Sequence, residues 1–459
     1  MSRGSLPTGH PLDERERDPR RWRRGLLGVV ALLALGACAG PSDKDDTGGA
    51  DTALPDRDTG DTDDTEPDTD DTDPDDTDDT DPDDTDDTSD GPTGLEQVLA
   101  ELRTDRDATL LAVSANVGWP AEVDGGYLFV TTEPGAWSLA GEFEGWSGLP
   151  MTEESGFSWL VVEVSAESGY KFTDGTNWNA DPRSRQYTYD EFGEMSLVHA
   201  GGAHLERLFE VGDDAMQART VRAWVPAEPA THVIYVHDGQ NLFNPDAAWG
   251  GWHLQDSAPA GMLIVGLDNT DARMDEYTHV PDVIHGTDYG GDGDAYAAYV
   301  QDTVRPIVAD TWGEPPTVGV MGSSLGGLIS FHVADRYPGE YTFAASLSGT
   351  MGWGSIGAES SSETMIERYA AAGHRGTALY VDSGGSGVTC ADSDGDGTND
   401  DDPDAADNYC ENVQLRDTLS AAGYTFETDL WHWHEADASH NEAAWAARVW
   451  RPLEIFAGL

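Results

Sequence analysis

Basic residues are scarce in this chain of 459 residues: 25 Lys and Arg stand against 87 Asp and Glu, for a formal charge of −62. So acidic a surface repels phosphates, which excludes direct binding to nucleic acid or to an anionic lipid face. Cysteine is scarcer still, at three, too few for a disulfide scaffold. Long apolar runs are missing beyond the N-terminus, so a polytopic membrane protein is excluded. Hydrophobic residues reach only 38%, yet 15 Trp, 15 Tyr and 11 Phe supply enough large apolar surface for much of the chain to fold. The length corresponds to two or three domains.

The first 38 residues read as an address. A basic cluster (Arg20, Arg21, Arg23, Arg24) precedes an apolar stretch from Leu26 to Leu35 that is too short to cross a bilayer. Leu35-Gly36-Ala37-Cys38 follows, and the whole resembles the signal peptide and lipobox of bacterial lipoproteins. That resemblance implies cleavage before Cys38, its lipidation, and an exported protein anchored at the bacterial cell envelope, on the outer membrane or cell surface. Residues 39–93 are almost wholly Asp, Thr, Pro and Gly, with Thr-Asp-Pro-Asp-Asp-Thr-Asp-Asp running from Thr72 and again from Thr80. With nothing apolar to bury, this tract is expected to be a disordered, charge-extended linker.

Residues 94–200 change character. Leu95, Val98, Leu99 and Leu102 fall at helical spacing, and short strand-like runs follow at Tyr127–Val130, Trp137–Ala140, Ser158–Val162 and Tyr170–Phe172. Gly and Pro clusters punctuate them, the rhythm of an all-β sandwich. The succession Gly141-Glu142-Phe143-Glu144-Gly145-Trp146, Tyr170-Lys171-Phe172, Asp174-Gly175-Thr176-Asn177-Trp178 and Asp181-Pro182 resembles the glycogen-binding and isoamylase N-terminal family of carbohydrate-binding modules. It implies a small immunoglobulin-like sandwich in which Trp146 and Trp178 would stack on sugars and Lys171 would donate a hydrogen bond. Packing of the same aromatics inside the fold is the alternative.

From residue 201 apolar runs alternate with helical stretches. Strands are expected at Thr220–Val225, His232–His237, Met262–Asp268, Thr317–Met321, Phe343–Leu347, Ala378–Asp382 and Thr425–Leu430, and helices at Ala295–Ala309, Leu325–Tyr337, Asn412–Ala422 and Asn441–Phe456. This is an α/β pattern, a mostly parallel sheet with helices on both faces and its active site at the carboxyl ends of the strands. At one such end Gly322-Ser323-Ser324-Leu325-Gly326 has the spacing of a nucleophile elbow, with Ser324 projecting at the positive end of a helix. Ser323 is adjacent but breaks the spacing. In this fold the histidine comes last, which points to His440 in Ser439-His440-Asn441-Glu442. His432 and His434, with Glu435 and Asp437, suggest a metal set, but a strand-plus-turn spacing matches no known ligand pattern.

The acid should follow the strand Ala378–Asp382, where the loop is swollen and bracketed by Cys390 and Cys410, the pair expected to form a disulfide in an exported protein. Asp407, just before the next helix, fits the acid's place; Asp382 and Asp404 are the alternatives. Within the insert, Asp392, Asp394, Asp396, Thr398 and Asp400 alternate around two glycines and resemble the calcium loops of thrombospondin type 3 repeats, although Pro403 stands where a Glu would close the site. Such a calcium would be structural; no cofactor is expected for catalysis. Oxyanion donors are expected at the amide of Leu325 and at that of Gly239 or Gln240. Trp249, Trp252 and Tyr289 are candidates for the substrate pocket.

Val236-His237-Asp238-Gly239-Gln240-Asn241-Leu242-Phe243, Val265–Thr270 with Arg273 and Glu276-Tyr277, the Gly322–Gly327 elbow and His440-Asn441-Glu442 together resemble the putative esterase family of α/β hydrolases, which includes esterase D-like, feruloyl esterase-like and enterochelin esterase-like members. The resemblance implies an α/β-hydrolase domain over 201–459 and hydrolysis of a small-molecule or glycan carboxylic ester through Ser324, His440 and an Asp. A catalytically inactive glycan-binding surface lipoprotein and an acyltransferase on the same fold are the alternatives.

Overall fold

The computed structural model describes residues 94–459 apart from 285, 358–361, 386–388 and 402–405. Cys38, the lipobox, the linker over 39–93 and Asp404 lie outside the described residues. The opening helix expected from the leucine spacing is two helices, Leu95–Thr104 and Arg106–Asn116, because Asp105 between them turns its side chain onto the amide of Ala108 and caps the second. Val98, Leu99 and Leu102 from one and Leu110 from the other are buried against Trp119, Leu128, Val130 and Phe157.

All four strand-like runs of this region lie largely within strands. Ala121–Val123, Gly126–Thr131, Phe157–Val162 and Thr152–Glu154 form an antiparallel sheet. Facing it, Ser138–Gly141, Ser168–Thr173, Gly193–Val198 and Gln186–Asp190 form a second layer. Phe129 and Leu160 of the first meet Leu139, Tyr170 and Phe172 of the second in one shared core.

The second layer continues without a break into the main sheet. Its strands are β1 (His204–Val211), β2 (Arg219–Val225), β3 (His232–His237), β4 (Met262–Leu267), β5 (Thr317–Ser323), β6 (Phe343–Leu347), β7 (Ala378–Gly385) and β8 (Leu430–His434). Leu205 and Glu206 of β1 pair with Tyr187 and Gln186 of the small layer. β1 escaped the sequence reading because charges interrupt it. Glu206 and Arg207 are buried, and they are tolerated because each is paired: Glu206 with His204 and Gln186, Arg207 with Glu194 and the carbonyl of Ser184.

The order is β1-β2-β4-β3-β5-β6-β7-β8, with β3 to β8 parallel and β1 and β2 antiparallel to their neighbours. Helices cover both faces, and the strands alternate between two cores: Val233 and Tyr235 enter one, Ile234 and Val236 the other. Two expectations shift. The last strand is Leu430–His434 rather than Thr425–Leu430, because the carboxylate of Asp429 folds back onto the amide of Thr425 and closes a turn there. The final helix breaks into Glu442–Ala446 and Trp450–Ala457, the second carrying Pro452 in its first turn, where a missing N–H is harmless.

Cys390 and Cys410 are disulfide-bonded, with Cα atoms 5.2 Å apart. Closing a loop of this length stabilises the fold by about 3 kcal/mol through the unfolded chain. A double Cys390→Ser, Cys410→Ser variant is therefore expected to lose roughly that amount in urea denaturation, with reductant shifting the native protein but not the variant.

Candidate active site

Ser324 sits directly after β5 and caps the helix Leu325–Arg336, with φ 55° and ψ −125°. The conformation is strained for a non-glycine residue. It is held by the N–H of Ser324 donating to Leu347 of β6 at 3.0 Å and by the close approach of Gly322 to the helix. A Cβ on Gly322 would lie 2.5 Å from the carbonyl of Gly326, so the turn admits only glycine there. Leu325 opens the helix, and its N–H therefore has no intrahelical acceptor.

The strand next to β5 supplies the facing loop. β3 ends at His237, and Asp238 follows in the left-handed region at φ 63°. Burial raises the pKa of its carboxyl, but the Arg273 guanidinium, at 2.7 and 2.8 Å, and Asn269 at 2.6 Å outweigh it and leave it below the usual range. The ion pair fixes the short turn Gly239–Asn241, whose first two N–H groups, those of Gly239 and Gln240, have no acceptor among the described residues. Both remain oxyanion candidates.

His440 lies between β8 and the helix Glu442–Ala446, which Asn441 caps by accepting from Ala444 at 3.0 Å. Its Nδ1 is 2.5 Å from Oδ1 of Asp407. The other oxygen of Asp407 accepts from the Ser348 hydroxyl at 2.5 Å and the Gly384 amide at 2.7 Å. Burial pushes the Asp407 carboxyl up, but His440, Ser348 and Arg448 more than offset this, and it lies below its ordinary value. Asp382 points elsewhere: Arg448 holds both its oxygens at 3.1 Å and Tyr380 donates at 3.0 Å. Of the two described candidates for the acid, only Asp407 faces the histidine.

Among the described residues no hydrogen bond joins the Ser324 hydroxyl to His440. The elbow and the acid are one strand apart: Leu347 accepts from the amide of Ser324, and its neighbour Ser348 holds Asp407. The carbonyl of Ser324 accepts from Thr350, whose hydroxyl accepts from Asn408, the residue after Asp407. The nucleophile–base hydrogen bond is often long without substrate.

The aromatic candidates divide. Trp252 is buried against Trp445, whose ring meets His440 edge-on at 5.0 Å, so it backs the histidine instead of lining a pocket. Trp249 is 63% exposed on the turn Ala248–Gly250, which packs against the helix after His440. Tyr289 lies in a separate ribbon, Asp282–Ile284 with Thr287–Tyr289, and packs on the core. Among the described residues His432, His434 and His440 do not come together as a ligand set; His434 bonds instead to the carbonyl of Gly385. A polar cleft of about 320 Å³ opens beside the oxyanion turn, lined by Gln217, Arg219, Thr220, Gln240, Asp268 and Asn269. Arg219 in its wall is paired with Glu276, and the lining Asp268 is paired with Arg222 behind it.

In the small β layer Trp146 and Trp178 lie together, ring centroids 6.2 Å apart, and Trp178 is exposed. Lys171 departs from expectation: it is buried, and its ammonium donates to the carbonyl of Phe192 at 3.1 Å. In the insert, oxygens of Asp392, Asp394 and Asp396 come within 4.8 Å of one another, a span that ligands at 2.3–2.6 Å from one calcium would have. Thr398 instead meets Ser355, and Asp400 binds Ser393.

The carboxyls set a pH dependence for stability. Asp382 is raised to about 6 by burial, and Glu411 and Asp401, buried beside each other, are raised as well. In the unfolded chain these groups titrate near 4. Between about pH 4 and 6 the folded form therefore binds more protons, and stability rises as pH falls through that window. Below it the sign reverses, because Glu206, set to about 2, and the lowered Asp407 and Asp238 lose their partners on protonation. Urea midpoints are expected to peak at about pH 4; a monotonic rise to neutrality would contradict this balance.

A family model described as Putative esterase matches residues 214–453, just over half of the chain. The chain belongs to that family. The chain is 31% identical over 123 residues to the uncharacterized protein YbbA of Bacillus subtilis (strain 168), a match covering 26% of this chain; the chain spans about half the length, 49%, of that curated relative. Among solved structures it is similar to the enterobactin esterase FES of Shigella flexneri, at 13% identity and TM-score 0.40 over 72% of this chain and 93% of that one. It is also similar to an IroE-like serine hydrolase of Shewanella oneidensis, at 13% identity and TM-score 0.39 over 55% and 78%.

Proposed function

We propose that this serine esterase acts through a Ser324–His440–Asp407 triad. The contact of His440 with Asp407, at the carboxyl ends of the strands where the strained elbow lifts Ser324, carries the reading. His440 takes the proton of Ser324 as its oxygen attacks the ester carbonyl. The amides of Leu325 and of Gly239 or Gln240 meet the developing oxyanion. His440 then protonates the departing alkoxide, and water repeats the sequence on the acyl-enzyme. Asp407 holds the imidazole in the tautomer with Nδ1–H and stabilises its charge.

The polar cleft beside Gln240 favours an ester whose alcohol part is neutral and hydroxylated, such as an acylated glycan, over an anionic siderophore ester, since Arg219 in its wall is already paired with Glu276 and Asp268 and Asp271 line it. The paired Trp146 and Trp178 support a glycan-binding role for an immunoglobulin-like module over 94–200, without Lys171. The assembly we infer is an envelope enzyme: lipid at Cys38, spacer over 39–93, module, then esterase over 201–459. Calcium would be held in the insert by Asp392, Asp394 and Asp396, a structural role that calorimetric titration of calcium checks. The catalytic reading is tested by fluorophosphonate labelling with peptide mapping, followed by a panel of acetylated, feruloylated and siderophore-type esters. Label on any residue but Ser324 contradicts it.

A further inference from the structure

Asp407 is surrounded by a buried cluster that the triad alone does not require. Ser348 directly follows β6, in the left-handed region at φ 51°, and is fully buried. Its hydroxyl oxygen accepts from Nη2 of Arg448 at 2.7 Å and from the indole N–H of Trp445 at 3.1 Å. A hydroxyl has two acceptor positions and one proton. Both acceptor positions are filled by groups that can only donate, so the proton has one direction left, toward Oδ2 of Asp407 at 2.5 Å.

We propose that Ser348 is a positioning residue for the triad: Arg448 and Trp445 fix its hydroxyl so that the proton is committed to Oδ2 of Asp407, which leaves Oδ1 aimed at His440. The inference rests on the triad reading above. The guanidinium also polarises the hydroxyl, so part of its charge reaches Asp407 through a neutral relay in addition to the longer direct contact at 3.4 Å. Asp382 anchors the other side of Arg448 and keeps the cation in place. Trp445 serves twice, as donor to Ser348 and as the edge against which the His440 ring rests. Among the described residues the charged groups facing Asp407 are His440, Arg448, Asp382 and Asp401; His440 also faces Glu442, which in turn faces Asp238 and Arg273.

Removing the Ser348 hydroxyl leaves the Asp407 carboxylate less neutralised and more basic, so it holds the proton of the imidazolium more tightly. The acid limb of the activity profile should then move to higher pH. The test uses the full chain and two readouts, the pH dependence of kcat/KM on p-nitrophenyl acetate and that of inactivation by a fluorophosphonate. Ser348→Ala is expected to lower kcat about 10- to 100-fold with KM within about twofold, and to raise the acid limb by about half to one pH unit. Trp445→Phe keeps the ring but removes one donor, so it should shift the limb the same way, by less, and cause no further shift in the Ser348→Ala background.

An unmoved limb in Ser348→Ala, even with activity lost, overturns the inference and leaves Ser348 a packing residue. If Ser348→Ala does not fold, Trp445→Phe decides, and an unmoved limb there has the same meaning. Equal shifts from Trp445→Phe in both backgrounds would place the effect on the histidine ring and also overturn it. Wild-type labelling away from Ser324 would remove the triad reading itself, an outcome distinct from each of these.

Discussion

Ser324→Ala is expected to lower kcat on p-nitrophenyl acetate by about 10⁴- to 10⁶-fold, with KM little changed and the fold intact. The hydroxyl is the only atom lost. Alanine meets the same penalty at φ 55° as serine, and the backbone bonds that hold the elbow, from Ser324 to Leu347 and from Thr350 to Ser324, do not involve the side chain. His440→Ala should cost about as much, and the double variant little more than either, because serine and histidine act as one unit in a single proton transfer. On the proposed reading the residual rate would come from the amides of Leu325 and of Gly239 or Gln240. If Ser324→Ala and the wild type turn over the substrate alike, the hydrolase domain is vestigial and the rival reading, a glycan-binding surface protein, takes its place.

What the sequence revealed follows from where the information is local. The elbow was readable because its chemistry is written in consecutive residues: glycines where a side chain would strike Gly326, and a serine where strand becomes helix. The approach of His440 to an acid could be expected because the histidine comes last in this fold. The parallel strands β3 to β7 read well because they are buried on both faces; β8, only partly buried, was placed too early in the sequence. β1 did not read as a strand, since its buried Glu206 and Arg207 look like surface until His204, Gln186 and Glu194 are brought beside them. The acid remained open for the same reason. Asp382 lies in β7 and Asp407 beyond the insert that follows it, and only tertiary structure assigns Arg448 to one and His440 to the other. Ser348 left no trace at all: its three partners come from residues 407, 445 and 448, between 59 and 100 positions away. Lys171 was misjudged because its motif says nothing about which way the side chain turns once the Phe192 carbonyl lies within reach.

The acid assignment yields the second large effect. Asp407→Asn is isosteric, and the positions around it dictate how the amide must sit. Ser348 and Gly384 both donate to the Oδ2 position, so the amide oxygen is forced there and the NH₂ faces Nδ1 of His440. The imidazole can accept that hydrogen bond only as the tautomer with Nε2–H, which presents a proton to Ser324 where a lone pair is needed. A loss of about 10⁴ in kcat is expected, with near-native stability, because every buried donor keeps an acceptor. Asp382→Asn is the matched control: it also removes a buried carboxylate beside Arg448, and it also weakens an ion pair, but it leaves the histidine's partner in place. Its effect should fall mainly on stability, by roughly 1–3 kcal/mol, with kcat reduced less than about tenfold. Steady-state kinetics and urea denaturation of the two variants side by side separate these roles. A larger kinetic loss in Asp382→Asn would reverse the assignment, because it would mean that the imidazole takes its orientation from β7 itself and not from the residue that follows the disulfide-closed insert.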